Sequence, residues 1–151
     1  NQIGREGARE LAKAIKENTV LERLTVAKYS SEKARLLVQV CRGNTDAPLD
    51  LSGADIDDFG IHFLAGMLRE NAKLKTLKLT GNNVEHVSFQ SLRSLITALK
   101  DNETLNELFV AKYAPEKAAE KAAEKATMMV NVCKGNCEEL DLSGTDMTGF
   151  G

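Results

Sequence analysis

The chain has 151 residues, of which 42% are apolar, 28% charged and only 5% aromatic, with no tryptophan and a net charge of −2. That composition supports one domain with a core of Leu, Ile, Val and Ala, and its balanced charge offers no basic surplus for a run of phosphates, so nucleic acid is not an expected partner. The longest apolar run falls far short of the ~20 residues that span a bilayer, and no charged-then-apolar leader opens the chain, so no membrane partner is expected either.

In chain order, Arg5 to Asn18 reads as a helix with Ala8, Leu11, Ala12 and Ile15 on one stripe, ended at an asparagine able to adopt a left-handed conformation. A strand from Leu21 to Val26 follows. The second helix runs from Ser31, taken as its N-cap, to Arg42, with Ala34, Leu37, Val38 and Cys41 inward and Gly43 as a stop. After the strand Leu49-Asp50-Leu51, a third helix, Phe59 to Asn71, turns Ile61, Leu64 and Leu68 inward and leaves His62 on its charged face. The strand Leu74-Lys-Thr-Leu77-Lys-Leu79 then turns at Asn82. A fourth helix, Ser88 to Asn102, has Leu92, Leu95, Ile96 and Leu99 as its apolar positions. A strand from Leu105 to Val110, a fifth helix with Ala126, Met129, Val130 and Cys133 inward, and a last strand Leu140-Asp141-Leu142 complete the series.

The second inward residue of successive strands is Val26, Leu51, Leu79, Val110 and Leu142, spaced 25, 28, 31 and 32 residues apart. That period holds one strand, one helix and two turns, so neighbouring strands are expected to be parallel and joined by right-handed crossovers. A longer repeat lies on top. Val26-Ala-Lys-Tyr29 through Phe59-Gly60 recurs as Val110-Ala-Lys-Tyr113 through Phe150-Gly151, with a net gain of seven residues in the Glu116–Ala126 Glu-Lys-Ala-Ala tract. Seven residues are close to two helical turns, so that tract lengthens a helix without rotating its buried face. The chain opens and closes within repeats and shows no polar cap, which predicts a single domain, 1–151, of about five repeats cut from a longer protein.

Asn-x-Ile-Gly-x-Glu-Gly-Ala-x-x-Leu-Ala-x-Ala-Ile-Lys-x-Asn-x-x-Leu-x-x-Leu, residues 1–24, resembles the ribonuclease-inhibitor-like class of leucine-rich repeats. The resemblance spans essentially the whole chain and implies an α/β solenoid of horseshoe shape, with parallel strands on the concave face, helices on the convex face and protein–protein recognition as the usual function. The family's turn asparagine is present at Asn1 and Asn82, where its amide can satisfy backbone groups of a buried turn. Tyr29, Ala54, Tyr113 and Thr145 replace it elsewhere, so no continuous asparagine ladder is expected.

On that architecture the outward strand residues form the binding face: Glu22, Arg23, Thr25, Asp50, Lys75, Thr76, Lys78, Asn106, Glu107, Phe109, Glu138, Glu139 and Asp141. Phe109 is either an interface anchor or a side chain packed on its neighbour. The charges read first as solvated. The Asp-Leu-Ser-Gly-x-Asp turns at Asp50–Asp55 and Asp141–Asp146 do not have the spacing of a calcium loop, and Cys133 and Cys137 lack convergent histidines for zinc, so no metal and no cofactor are expected. His62 and His86 have no evident nucleophile or acid partner, and no phosphate-cradling glycine loop or nucleophile elbow is present. Cys41 and Cys133 occupy equivalent helical positions, as small buried groups do, and three cysteines without a leader point to a reducing, cytoplasmic setting. The function expected is a non-catalytic scaffold binding a protein on the concave strands. The alternative implied by the resemblance is activation of a small GTPase in the manner of Ran GTPase-activating protein, with Arg23 as the one arginine on that face.

Overall fold

A computed structural model of the chain describes residues 3–25, 28, 30–82, 87–109, 112–113, 130–131, 134–135 and 145–146, the pairs at 112–113 and 145–146 by backbone alone. The elements are α1 (Arg5–Glu17), α2 (Ser31–Cys41), β1 (Leu49–Asp50), α3 (Asp58–Glu70), β2 (Thr76–Lys78), α4 (Phe89–Asp101), β3 (Glu107–Phe109), β4 (Lys112–Tyr113) and β5 (Thr145–Asp146). Strands β1, β2 and β3 form a parallel sheet in that order, and the α3 and α4 crossovers join them. Leu49, Leu51, Leu74, Leu77, Leu79, Leu105 and Leu108 are buried beneath the sheet, where they meet Leu64 and Leu68 of α3 and Leu95 and Leu99 of α4. The period-two alternation of each strand thus delivers every second residue, a leucine, to one core.

The helix layer departs from the expected order. α1 packs directly on α3 and α3 on α4, while α2 leaves this layer and packs against α1 and β1. The α1–α3 approach depends on small residues. Ala8 and Ala12 are buried on α1, and a Cβ on Gly66 of α3 would lie 2.8 Å from Arg9 Cα. Lys16 of α1 donates to Glu70 O at the end of α3, 3.0 Å away. Enclosed between two helices and the sheet, α3 is buried all round from Gly60 to Leu68.

With α2 beside β1, residues 21–25 do not enter the sheet as the strand expected there. Leu24 N–H donates to Ala34 O of α2 instead, and Arg42 at the end of α2 donates through Nε to Asn18 O and through a terminal nitrogen to Leu21 O, 2.7 Å away. Lys28 N–H, within the Ala-Lys-Tyr segment, donates to Ala54 O of the following turn. The second copy repeats both contacts. Lys134 Nζ donates to Leu105 O at 3.0 Å, and β4 pairs with β5 through Lys112 and Asp146, Tyr113 and Thr145. That pairing is antiparallel, against the all-parallel expectation. It arises where a tyrosine replaces the turn asparagine and the freed backbone bonds across to the next turn.

Asparagines stitch the layers. Asn82 donates to Leu51 O and Leu79 O and accepts from Ile56 N–H, so it serves the neighbouring turn where Ala54 has no amide to offer. The helix-end asparagines act through their side chains. Asn18 is extended, not left-handed as expected, and its Oδ1 accepts from Val20 and Leu21 N–H. Asn71 and Asn102 accept from the chain that follows them in the same way, and their amides also donate back to Val40 O, and to Leu68 O and Asn71 O, respectively. The N-cap of α2 is Ser30, one residue before the expected Ser31; Asp57 and Ser88 cap α3 and α4. On α4 the buried set is Ser91, Ser94, Leu95, Ala98 and Leu99, so Leu92 is only half-buried and Ile96 points outward, because α3 takes the face next to the expected one. Val130 is buried; Ala126, Met129, Cys133 and the strand Leu140–Leu142 lie outside the described residues.

Candidate functional site

Strand register sets the geometry of the exposed sheet face. Asp50 pairs with Lys78 and Lys78 with Phe109, which places an anion, a cation and an aromatic ring in one row across three strands. Parallel strands lie about 4.8 Å apart, so the row spans about 10 Å. Lys78 Nζ stands 5.6 Å from the centroid of the Phe109 ring, a cation–π distance. Phe109 is half-buried in this arrangement. Burial works against the Asp50 charge, but the Ser52 N–H and hydroxyl, with Lys33 and Lys78 nearby, outweigh it and hold the carboxyl below its ordinary range. The Lys33 ammonium of α2 lies 3.9 Å from Asp50 Oδ1. One step back along the strands, Thr76 Oγ1 donates to Glu107 Oε2 at 2.9 Å, tying the second row together.

The remaining binding-face residues do not join these rows. Glu22, Arg23 and Thr25 are exposed on the segment that runs along α2, outside the sheet. Lys75 and Asn106 precede their strands and line an open groove of about 620 Å³ along the helix-to-strand loops, with Asn44, Asp46, Lys73 and Glu103. Glu138, Glu139 and Asp141 lie outside the described residues, as do His86, Cys133 and Cys137.

A cluster absent from the sequence expectations joins α3 to α4. His62 is 8% exposed, so it does not lie on a charged face. Its Nε2 meets Ser91 Oγ at 3.2 Å, and Ser91 Oγ donates to Asp58 Oδ1 at 2.7 Å, so a hydroxyl and an acid do stand beside this histidine. Asp58 also accepts from Ser88 N–H at 2.6 Å. Burial pushes His62 below its ordinary pKa; Asp58 opposes that shift and Arg5 adds to it. Asp58 is held low despite burial by the Ser91 hydroxyl, the Ser88 N–H and His62. The trio has the residue types of a nucleophilic triad and the wrong wiring. Ser91 is fully buried and commits its proton to the carboxylate, whereas a nucleophile presents an exposed hydroxyl to an imidazole held by the acid. The i, i+4 spacing of Asp58 and His62 is a signal that points to this acid, which the sequence reading missed; the serine on the next helix carries none.

Among the described residues no group of three or more His, Cys, Asp or Glu could hold a metal ion, and no helix is long and apolar enough to cross a membrane. Cys41 is a buried free thiol pushed up to about 12 by that burial, an unreactive core residue.

Residues 70–86 match the family described as Leucine Rich repeat. The match covers the end of α3, β2 and the turn at Asn82, the stretch whose leucines and asparagine enter the core as the repeat pattern requires. No curated protein matches the chain. A leucine-rich repeat and an α/β fold with a parallel sheet indicate a role in protein–protein interaction.

Proposed function

We propose that the chain is a non-catalytic interaction scaffold of the ribonuclease-inhibitor-like kind, presenting the concave strand face of a solenoid to a protein partner. The observation that carries this reading is the in-register row Asp50–Lys78–Phe109. Interfaces draw their energy from a few aromatic and charged anchors at the centre of a patch, and this row sets an aromatic ring and two opposite charges within one side chain's reach of each other. The resemblance of residues 1–24 supports the same reading. A reducing, intracellular setting suits the buried free thiol of Cys41. The GTPase-activating alternative would use Arg23, which sits on the exposed segment outside the sheet, and no further observation favours it.

The test is affinity for a captured and identified partner. The double change Lys78→Glu, Phe109→Ala is expected to weaken binding at least about tenfold, and Lys13→Glu on the helix layer to change it less than about twofold. Equal affinity of the sheet variant and the parent would remove the site from the strands.

A further inference from the structure

The loops that lead from helix to strand share a pattern the sheet face does not use. An asparagine follows each helix, at Asn18, Asn44, Asn71 and Asn102, and the second residue after it is Val20, Asp46, Lys73 and Thr104 in turn. The last three line the open groove of about 620 Å³ along these loops, together with Lys75 and Glu103. Across the groove the charge runs negative at Asp46, positive at Lys73 and Lys75, and negative again at Glu103. All four side chains are exposed, and none has a hydrogen bond or ion pair among the described residues, although opposite charges stand on neighbouring loops. The side-chain amide of Asn106, in the same groove, is also unpartnered among them. One unit before Asp46, Val20 is 81% exposed. Arg42 donates to Asn18 O and Leu21 O on either side of it, which joins that loop to the one entering the groove.

The spacing of the row identifies what can lie along it. Parallel strands lie ~4.8 Å apart and packed helices ~8–10 Å apart, so loops that join the two layers repeat at about 7 Å. Alternate side chains of an extended chain repeat at about 6.6 Å, twice the rise per strand residue. Such a chain also brings peptide groups that need partners, which a polar lining with a free amide supplies. We propose that this edge takes an extended segment of another protein, laid across the units, whose alternate residues read apolar, basic, acidic, basic. The apolar residue covers Val20, the first base meets Asp46, the acid meets Lys73 and Lys75, and the second base meets Glu103. The two lysines set the specificity: a chain of net charge −2 attracts cations in general, but their position rejects a uniformly basic segment. The edge is separate from the Asp50–Lys78–Phe109 row and does not rest on the sheet-face reading.

The experiment titrates the chain with a synthetic peptide, capped at both ends, in which leucine, arginine, glutamate and arginine alternate with threonine spacers that favour an extended backbone. The reversed sequence is titrated beside it, because the loops do not fix the direction of the peptide. The tighter of the two is expected to bind with a Kd of about 100 μM or below, and more weakly as salt is added. Replacing its glutamate with arginine is expected to weaken binding to the parent chain at least about tenfold, against the trend of the overall charge. The doubly changed chain Lys73→Glu, Lys75→Glu is expected to reverse that order and prefer the arginine peptide by a similar factor. Both lysines are exposed and unpartnered, so the change leaves the core intact. No saturable binding of either direction below about 2 mM would overturn the proposal. So would equal or tighter binding of the arginine peptide to the parent chain, which is the result expected of unspecific charge attraction, and so would a preference that the two lysine changes leave unaltered.

Discussion

Replacing Asn102 with alanine tests the stitching of one repeat to the next. The Asn102 amide donates to Leu68 O at 2.7 Å and Asn71 O at 3.0 Å, while its Oδ1 accepts from Leu105 N–H at 2.7 Å and Thr104 N–H at 3.0 Å. The side chain is 4% exposed, so water cannot replace it. Three of the four bonds are buried, and each contributes about 1 kcal/mol net, with more lost where a backbone group is left unpaired. Asn102→Ala is therefore expected to cost about 3–4 kcal/mol, a large share of the ~5–15 kcal/mol that holds a domain folded. At this chain length that corresponds to a fall of about 10 °C in Tm. Asn18→Ala is the internal control: Asn18 accepts from Val20 and Leu21 N–H in an exposed setting, and its loss is expected to cost about 1 kcal/mol or less. Urea unfolding of both variants, with unchanged m-values, reads the difference directly. Equal costs for the two would refute the claim that buried amide stitches, and not helix-end capping as such, hold successive units together.

Two further perturbations probe α3. Gly66→Ala is expected to destabilise by about 1–3 kcal/mol in urea, because the added Cβ would meet the Arg9 backbone and not a movable side chain. A net gain from the better helix propensity of alanine would show that α1 and α3 can separate freely. His62 supplies a pH dependence whose sign follows from its lowered pKa: the unfolded chain takes up a proton as pH falls below 6.5 while the folded chain does not. Stability should therefore drop on acidification from that point, by at most about 1.4 kcal/mol per pH unit, until the folded histidine also titrates. Asp50 and Asp58, both lowered, keep their full contribution above 3.8 and lose it only as pH falls through their folded values. His62→Gln should flatten the stability profile just below pH 6.5; an unchanged slope would mean that another group carries it.

The two copies of the longer repeat solve one problem twice. Where a helix ends in asparagine, as at Asn71 and Asn102, the amide reaches back to carbonyls of the preceding unit. Where it ends in Cys-Arg/Lys-Gly-Asn, the cation does so, Arg42 to Leu21 O and Lys134 to Leu105 O. Both devices satisfy carbonyls that the layer change would otherwise leave unpaired.

The sequence by itself determined what is local. Apolar periodicity placed the four described helices within two residues of their observed ends, the leucine spacing placed β1, β2 and β3, and Asn82 sits in its turn as that pattern requires. The alternation that points Asp50, Lys78 and Phe109 outward was equally legible, since a period of two follows from strand geometry alone. Tertiary structure decided which faces have neighbours. Nothing within residues 31–41 says that their helix leaves the layer, because that depends on Gly66 letting α1 and α3 close directly on each other. Once they do, α3 is enclosed and His62 is buried against Ser91, Leu21–Thr25 loses its place in the sheet, and the outer stripe of α4 is left exposed. A helix's own pattern states how many apolar faces it has; only packing states which of them is covered, and by what.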